Sequence, residues 1–276
     1  MKRGRSVFTP EFSSCLAPVF TRYVDLKQAL GRRFDTSART LQCLDRFLCA
    51  QKHSDLNAAA FQAWCHTHEH VTSGVRRVRM LEVCSFCVYR RRTEPQCFVP
   101  DPSSFPAYHQ RIKPYIFSEA EVAKFLRASS GLKRYPSSPL RPEVIRLAIA
   151  LLFTTGMRRG ELLGLRLGDY NRQESTLHLR ETKFYKSRLL PINGSISDEM
   201  DQCLRARAQR KLPVSSDTAL IWNAAWGGGA YSGTGLRHAI QPLLRQCGIV
   251  TSKGKLPRIH DFRQNAESGK MPNDVV

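Results

Sequence analysis

Five prolines, Pro95, Pro100, Pro102, Pro106 and Pro114, fall within the stretch from Arg92 to Pro114. Each lacks a backbone N–H and fixes φ, so neither a continuous helix nor a central strand can cross this segment. The chain is therefore expected to fold as two bodies, and 276 residues suffice for two domains with a core each. On this reading residues 1–94 form the first domain, 95–115 the linker, 116–263 the second domain and 264–276 a polar tail.

Before the prolines, apolar residues recur at helical spacing: Leu26, Leu30 and Phe34, then Leu41, Leu44, Phe47 and Leu48, then Val75, Val78, Leu81 and Val88. The first domain is thus expected to be all helical. After them, Ser118 stands three residues before Glu121, with Phe117 in front and Val122 behind, the pattern of a capping box with a hydrophobic staple. A strongly apolar helix follows over Pro142 to Phe153, is broken at Thr154-Thr155-Gly156, and helical spacing resumes from Arg158 to Leu165. Thr176 to Arg180 and Arg188 to Ile192 have β character around the polar turn Phe184-Tyr185-Lys186-Ser187, which predicts a hairpin. Ser197 is expected to cap a helix running to about Arg210, another helix spans Gly235 to Cys247, and a last one enters at Pro257 to Asp261. The fold class is mainly α with a small β-hairpin or sheet.

Lys and Arg number 43 against 23 Asp and Glu, a net charge of +20. Up to Ile116 there are 18 basic and 9 acidic residues, and after it 25 and 14, so the excess belongs to both domains rather than to a basic tail. Such an excess strains a compact state by self-repulsion and fits a polyanionic partner, DNA or RNA foremost. In the first domain Arg76, Arg77 and Arg79 are the candidate DNA-backbone contacts, the alternative being a solvated helix face. No apolar run approaches the ~20 residues a bilayer requires. The basic start Met1-Lys2-Arg3-Gly4-Arg5 lacks the apolar stretch of a secretory signal, so a cytoplasmic location is expected. Most of the nine cysteines read as reduced thiols rather than a disulfide framework. Cys65, His66, His68 and His70 precede Cys84 and Cys87 at a spacing that fits no zinc finger, and Cys84, Cys87 and Val88 read as a buried helix face, so no metal site is expected.

The second domain carries cations suited to a phosphate. Arg158 sits where a turn enters a helix, Lys183 at the rim of the hairpin turn, and His260 and Arg263 three apart on one helical face. Three motifs contain them: Thr155-Gly156-Met157-Arg158-Arg159-Gly160-Glu161-Leu162, then Lys183 through Ile192, then His260-Asp261-Phe262-Arg263. In this order the chain resembles the tyrosine recombinase, or phage integrase, family over about residues 12 to 263. The resemblance implies a helical core-binding domain and a mixed α/β catalytic domain that clamp duplex DNA from opposite faces. It also implies phosphoryl transfer through a 3′-phosphotyrosine with no metal or other cofactor, and homo-oligomers on DNA. By that resemblance Arg158 and Arg263 stabilise the phosphate oxygens, Lys183 protonates the departing 5′-oxygen with Lys186 as its alternative, and His260 relays a proton. Glu161 orients Arg158 or its helix, and Arg159, Lys186 and Arg188 contact DNA. A planar guanidinium meets paired oxygens with paired hydrogen bonds, which is why arginine suits the first role.

The sequence departs from the family after Arg263. Gln264 to Val276 show neither an apolar stripe nor a tyrosine, and all eight tyrosines precede His260, so no residue occupies the family's nucleophile position. The expectation is a recombinase truncated or frame-shifted from about Gln264, with the C-terminal part of its catalytic domain missing and with apolar surface bared on the helices after Leu147. Such a chain binds DNA without cleaving it. Its alternative role is a non-catalytic competitor or regulator at recombination sites, and Tyr231 is a remote alternative nucleophile.

Overall fold

A computed structural model describes residues 8–32, 34–108, 113–180 and 187–267. The chain divides into two compact units, Met1–Ile112 and Lys113–Val276.

In the first unit, α1 (Ala17–Ala29), α2 (Asp35–Ala50), α3 (Ala58–His66) and α4 (Ser73–Arg90) bury one aromatic and aliphatic core. Phe20 lies at its centre, with ring centroids 5.1 Å from Phe12 and 4.3 Å from Phe86. Leu41, Leu44 and Leu48 of α2 are fully buried as their spacing predicts. Other expected core positions face outward: Leu26, Leu30, Val75, Val78 and Val88 are exposed, Leu30 by 66%. Helix α1 ends at Ala29, which takes Leu30 and Phe34 off its stripe, and its buried face is Phe20, Tyr23 and Val24. On α4 the inner face is Val83, Phe86, Cys87 and Arg90 at i, i+3, i+4 and i+7, with Cys84 at its edge and Val88 turned away.

The proline-rich stretch is not a free tether up to Tyr108. Phe105 is buried in the first core, and Phe98 and Val99 pack against it. The division between the units, at Ile112, falls inside the expected linker of residues 95–115. Prolines exclude helix and sheet, but they leave the aromatic side chains between them able to pack.

The second unit opens with α5 (Glu119–Ser130), and the capping box is present: the Glu121 amide donates to Ser118 Oγ at 3.3 Å and the Ser118 amide donates to Glu121 Oε2 at 2.8 Å. Ser118→Ala is expected to cost about 1 kcal/mol, read as a lower urea midpoint at unchanged slope. Helix α6 (Arg141–Thr155) follows and forms the hub of this unit. From Leu147 to Phe153 no residue is more than 3% exposed, so the expected bare apolar surface is absent from this stretch. Gly156 then ends α6 at φ 60°, a left-handed conformation that a side chain would strain.

After α7 (Arg159–Gly164) come β1 (Tyr170–Asn171), β2 (Thr176–Leu179) and β3 (Arg188–Pro191) in an antiparallel sheet of that order, Leu177 opposite Leu190 and Leu179 opposite Arg188. The predicted hairpin is β2–β3, whereas β1 is too short to show a period. Helix α8 (Gly194–Gln209) is capped by Asn193, whose Oδ1 accepts from the Ile196 amide at 3.1 Å, not by Ser197. A two-stranded pair, β4 (Trp222–Asn223) and β5 (Gly229–Ala230), leads to α9 (Gly233–Gln246), which is capped by Ser232 and begins two residues before the expected start. Helix α10 (Ile259–Glu267) runs past the expected boundary at 263. Among the described residues no helix is long and apolar enough to cross a membrane.

Candidate active site and DNA interface

Arg158 is the N-cap of α7, directly after the turn at Gly156. Its amide donates to Glu161 Oε2 at 2.8 Å and its Nη1 to Oε1 at 2.7 Å. Arg188, the first residue of β3, donates from Nη2 to the same Oε2 at 3.3 Å. The Glu161 side chain is 6% exposed while those of Arg158 and Arg188 are 41% and 47% exposed. One buried carboxylate therefore holds two guanidiniums whose outer faces reach solvent. Burial works to raise the Glu161 pKa, yet the Arg158 amide and guanidinium and the charge of Arg188 outweigh it and hold the carboxyl below the ordinary glutamate range.

A parallel arrangement serves the other flank of the hairpin turn. Arg180, just after β2, donates from Nε to Asp169 Oδ1 at 2.6 Å, and Asp169 Oδ2 accepts the Arg166 amide at 2.8 Å. Lys183 and Lys186 lie in the turn outside the described residues, and both described flanks of that turn are tied by an arginine to a buried carboxylate. The segment after α7 is pinned in turn, the Leu167 amide donating to the Thr218 carbonyl and the Leu220 amide to the Leu165 carbonyl, each at 2.9 Å.

His260 and Arg263 both stand on α10, His260 exposed and Arg263 half-buried. Between them Phe262 is fully buried, its ring centroid 4.6 Å from Phe117 and 5.8 Å from Phe125. Asp261 accepts the Arg258 amide at 2.8 Å and Arg258 Nη2 at 2.6 Å. Both α7 and α10 pack on α6, so one buried helix carries the two elements that bear Arg158, His260 and Arg263. Arg159 is exposed and lies over the start of α9, where a Cβ on Gly233 would come within 3.1 Å of its Cζ.

Sequence reasoning missed the clamps Arg258–Asp261 and Arg166–Asp169. Their signal is an arginine three residues before an acid, the same spacing as Arg158 and Glu161.

In the first unit Arg76, Arg77 and Arg79 are all half-buried. Arg77 is engaged by its own unit: Nη1 donates to the carbonyls of Phe105 and Pro106, each at 3.1 Å, and the guanidinium lies 5.2 Å from the Tyr108 ring centroid. All nine cysteines are free thiols, and Cys84 and Cys87 are buried on α4. Tyr231 is buried and its hydroxyl pairs with Ser138 Oγ; burial raises its pKa above that of an ordinary tyrosine.

Residues 117–269 match the profile of the phage integrase family. The chain belongs to that family. Two candidate integrase/recombinases of Sinorhizobium fredii (strain NBRC 101917 / NGR234) are similar over most of its length: y4rB is 26% identical, the match covering 87% of this chain and 77% of y4rB. The other, y4rE, is 28% identical, covering 94% and 82%. Among solved structures, a lambda integrase tetramer bound to a Holliday junction matches with a TM-score of 0.64 at 14% identity, covering 94% of this chain and 74% of that one. That likeness is one of fold, and it extends beyond the integrase segment to the helical first unit.

Proposed function

We propose that this integrase-family chain is a site-specific DNA recombinase of the tyrosine type, binding duplex DNA in the cytoplasm as a homo-oligomer. The observation that carries the reading is Glu161 holding Arg158 and Arg188 with their outer faces exposed. Cations fixed in this way meet the charge that builds on the non-bridging oxygens of a five-coordinate phosphorus with little reorganisation. Arg158 and Arg263 take that role. Lys183, on the turn between Arg180 and Arg188, donates a proton to the departing 5′-oxygen, and His260 moves the proton of the attacking hydroxyl. In the reaction a tyrosine oxygen bonds to phosphorus as the P–O5′ bond breaks, and the new 5′-hydroxyl reverses it on the partner strand. Arg76, Arg79, Arg159, Lys186 and Arg188 contribute to holding the DNA.

A second reading is a competitor that binds recombination sites and orients their phosphates without attacking them. What favours it is Tyr231, whose hydroxyl is buried against Ser138 and so is kept from a phosphate.

One pair of assays tests both readings. On a nicked duplex both readings expect a mobility shift and the recombinase reading adds a covalent adduct, with affinity falling about 10³–10⁵-fold between 50 and 200 mM salt if six to ten phosphates are contacted. A shift insensitive to salt overturns DNA-backbone binding. An adduct that survives denaturant overturns the competitor reading and is traced to its tyrosine by peptide mapping.

A further inference from the structure

We propose that the first unit holds a binding site for a phosphate group in the cavity where α3, the start of α4 and Pro106 meet. The inner stripe of α4, Val83, Phe86, Cys87 and Arg90, continues backwards through Arg79 and Met80 to Arg76. Two arginines thus occupy positions where the helix's own register calls for apolar side chains. They line a cavity of 180 Å³ together with Trp64 and Pro106, many times the ~10–15 Å³ that one water needs.

Three of the nine lining residues, Trp64, Arg76 and Arg79, bring side chains that can only donate. Trp64 is 1% exposed, and its Nε1, which can only donate, is buried with no acceptor in the protein. Arg76 Nε is buried in the same condition. Arg79 brings a second guanidinium three residues along. His68 is committed elsewhere: its Nδ1 lies 3.0 Å from the Trp64 carbonyl oxygen and its Nε2 3.7 Å from Cys43 Sγ. Glu69 also lines the cavity, but it is exposed, so water and salt screen its charge.

Buried donors without acceptors destabilise a fold unless something accepts from them. A lining of an indole N–H and two guanidiniums suits a ligand that only accepts, carries negative charge and presents oxygens in several directions. A tetrahedral phosphate does all three, and a guanidinium can bind it through two parallel hydrogen bonds. The group can come from free phosphate or from a DNA backbone. The site is independent of the strand-transfer reading, since free phosphate tests it with no DNA present.

The test is calorimetric titration of the full chain with inorganic phosphate, against chloride at matched ionic strength. Saturable binding is expected, weakened about tenfold in Trp64→Phe, which keeps an aromatic ring and removes the donor, and abolished in Arg79→Gln. If Trp64→Phe lowers the melting temperature, Arg79→Gln alone decides the question. No saturable binding by the wild-type chain, meaning that water alone satisfies the donors, overturns the proposal, and so does unchanged affinity in Arg79→Gln. Repeating the titration with a short duplex present separates the sources, each upholding the site. Competition identifies the DNA backbone as the supplier, and simultaneous binding identifies a free phosphate.

Discussion

Phe262→Ala is expected to destabilise the second unit by about 3–5 kcal/mol, the range for removing a fully buried aromatic ring. The ring is 0% exposed and stacks on Phe117 and Phe125. A domain is typically stable by only ~5–15 kcal/mol, so this one side chain carries a large share of the total. Under the proposed function the loss extends to activity. Helix α10 spans nine residues, too short to persist without packing, and it carries His260 and Arg263. Urea unfolding checks the figure, with hydrogen exchange showing that protection drops in α10 and α6 while the first unit keeps its own. Phe262→Leu should recover most of the loss. A loss below about 1 kcal/mol in Phe262→Ala would mean that α10 is held by something other than this stack.

The second large effect concerns Glu161. Glu161→Gln removes the charge that holds Arg158 and Arg188 and is expected to cost about 1–3 kcal/mol at pH 7, less than a fully buried pair because both guanidiniums are half exposed. The effect has a sign in pH. The folded carboxyl titrates below its unfolded value, so its contribution is complete above the ordinary glutamate pKa of about 4.3 and is lost as pH falls through the lower folded value. Urea midpoints of the two proteins should differ at pH 7 and converge as the medium is acidified towards pH 3. A gap that persists in acid would assign the loss to the changed shape of the side chain. In a chain that cleaves DNA by the proposed mechanism, the same substitution should lower the cleavage rate more than the affinity, because there the cation it frees acts on the transition state.

The parts of this fold that were legible in the sequence are those decided within a few residues. Ser118 and Glu121 make their capping box from neighbouring atoms, and Thr176 to Arg188 pair as a hairpin because alternation and a polar turn leave little choice. What escaped depends on distant partners. Periodicity gives α4 an apolar stripe, but only Phe20 and Tyr23 of α1 decide that Phe86 faces inward and Val88 outward. Asn193 and Ser197 are comparable N-caps, and the choice falls to where the chain leaves β3 at Pro191. The prolines from Pro95 to Pro106 announce a break in regular structure, yet Phe105 buries itself among them and Arg77 grips the adjoining carbonyls. At the site, Arg158, His260 and Arg263 were legible as residues, whereas the sharing of Glu161 with Arg188 requires two segments 27 positions apart to meet.

An arginine whose amide and guanidinium both fold back onto the acid three positions later, as at Arg158 and Arg258, makes its own bracket from four consecutive residues. Such a bracket needs no long loop to close. Single helical turns form in well under a microsecond, whereas contacts between far parts of a chain wait for slower collapse. The charged fittings of this protein can therefore be assembled early and locally, and the later, slower contacts through Phe262 and α6 have only to carry finished pieces to one place.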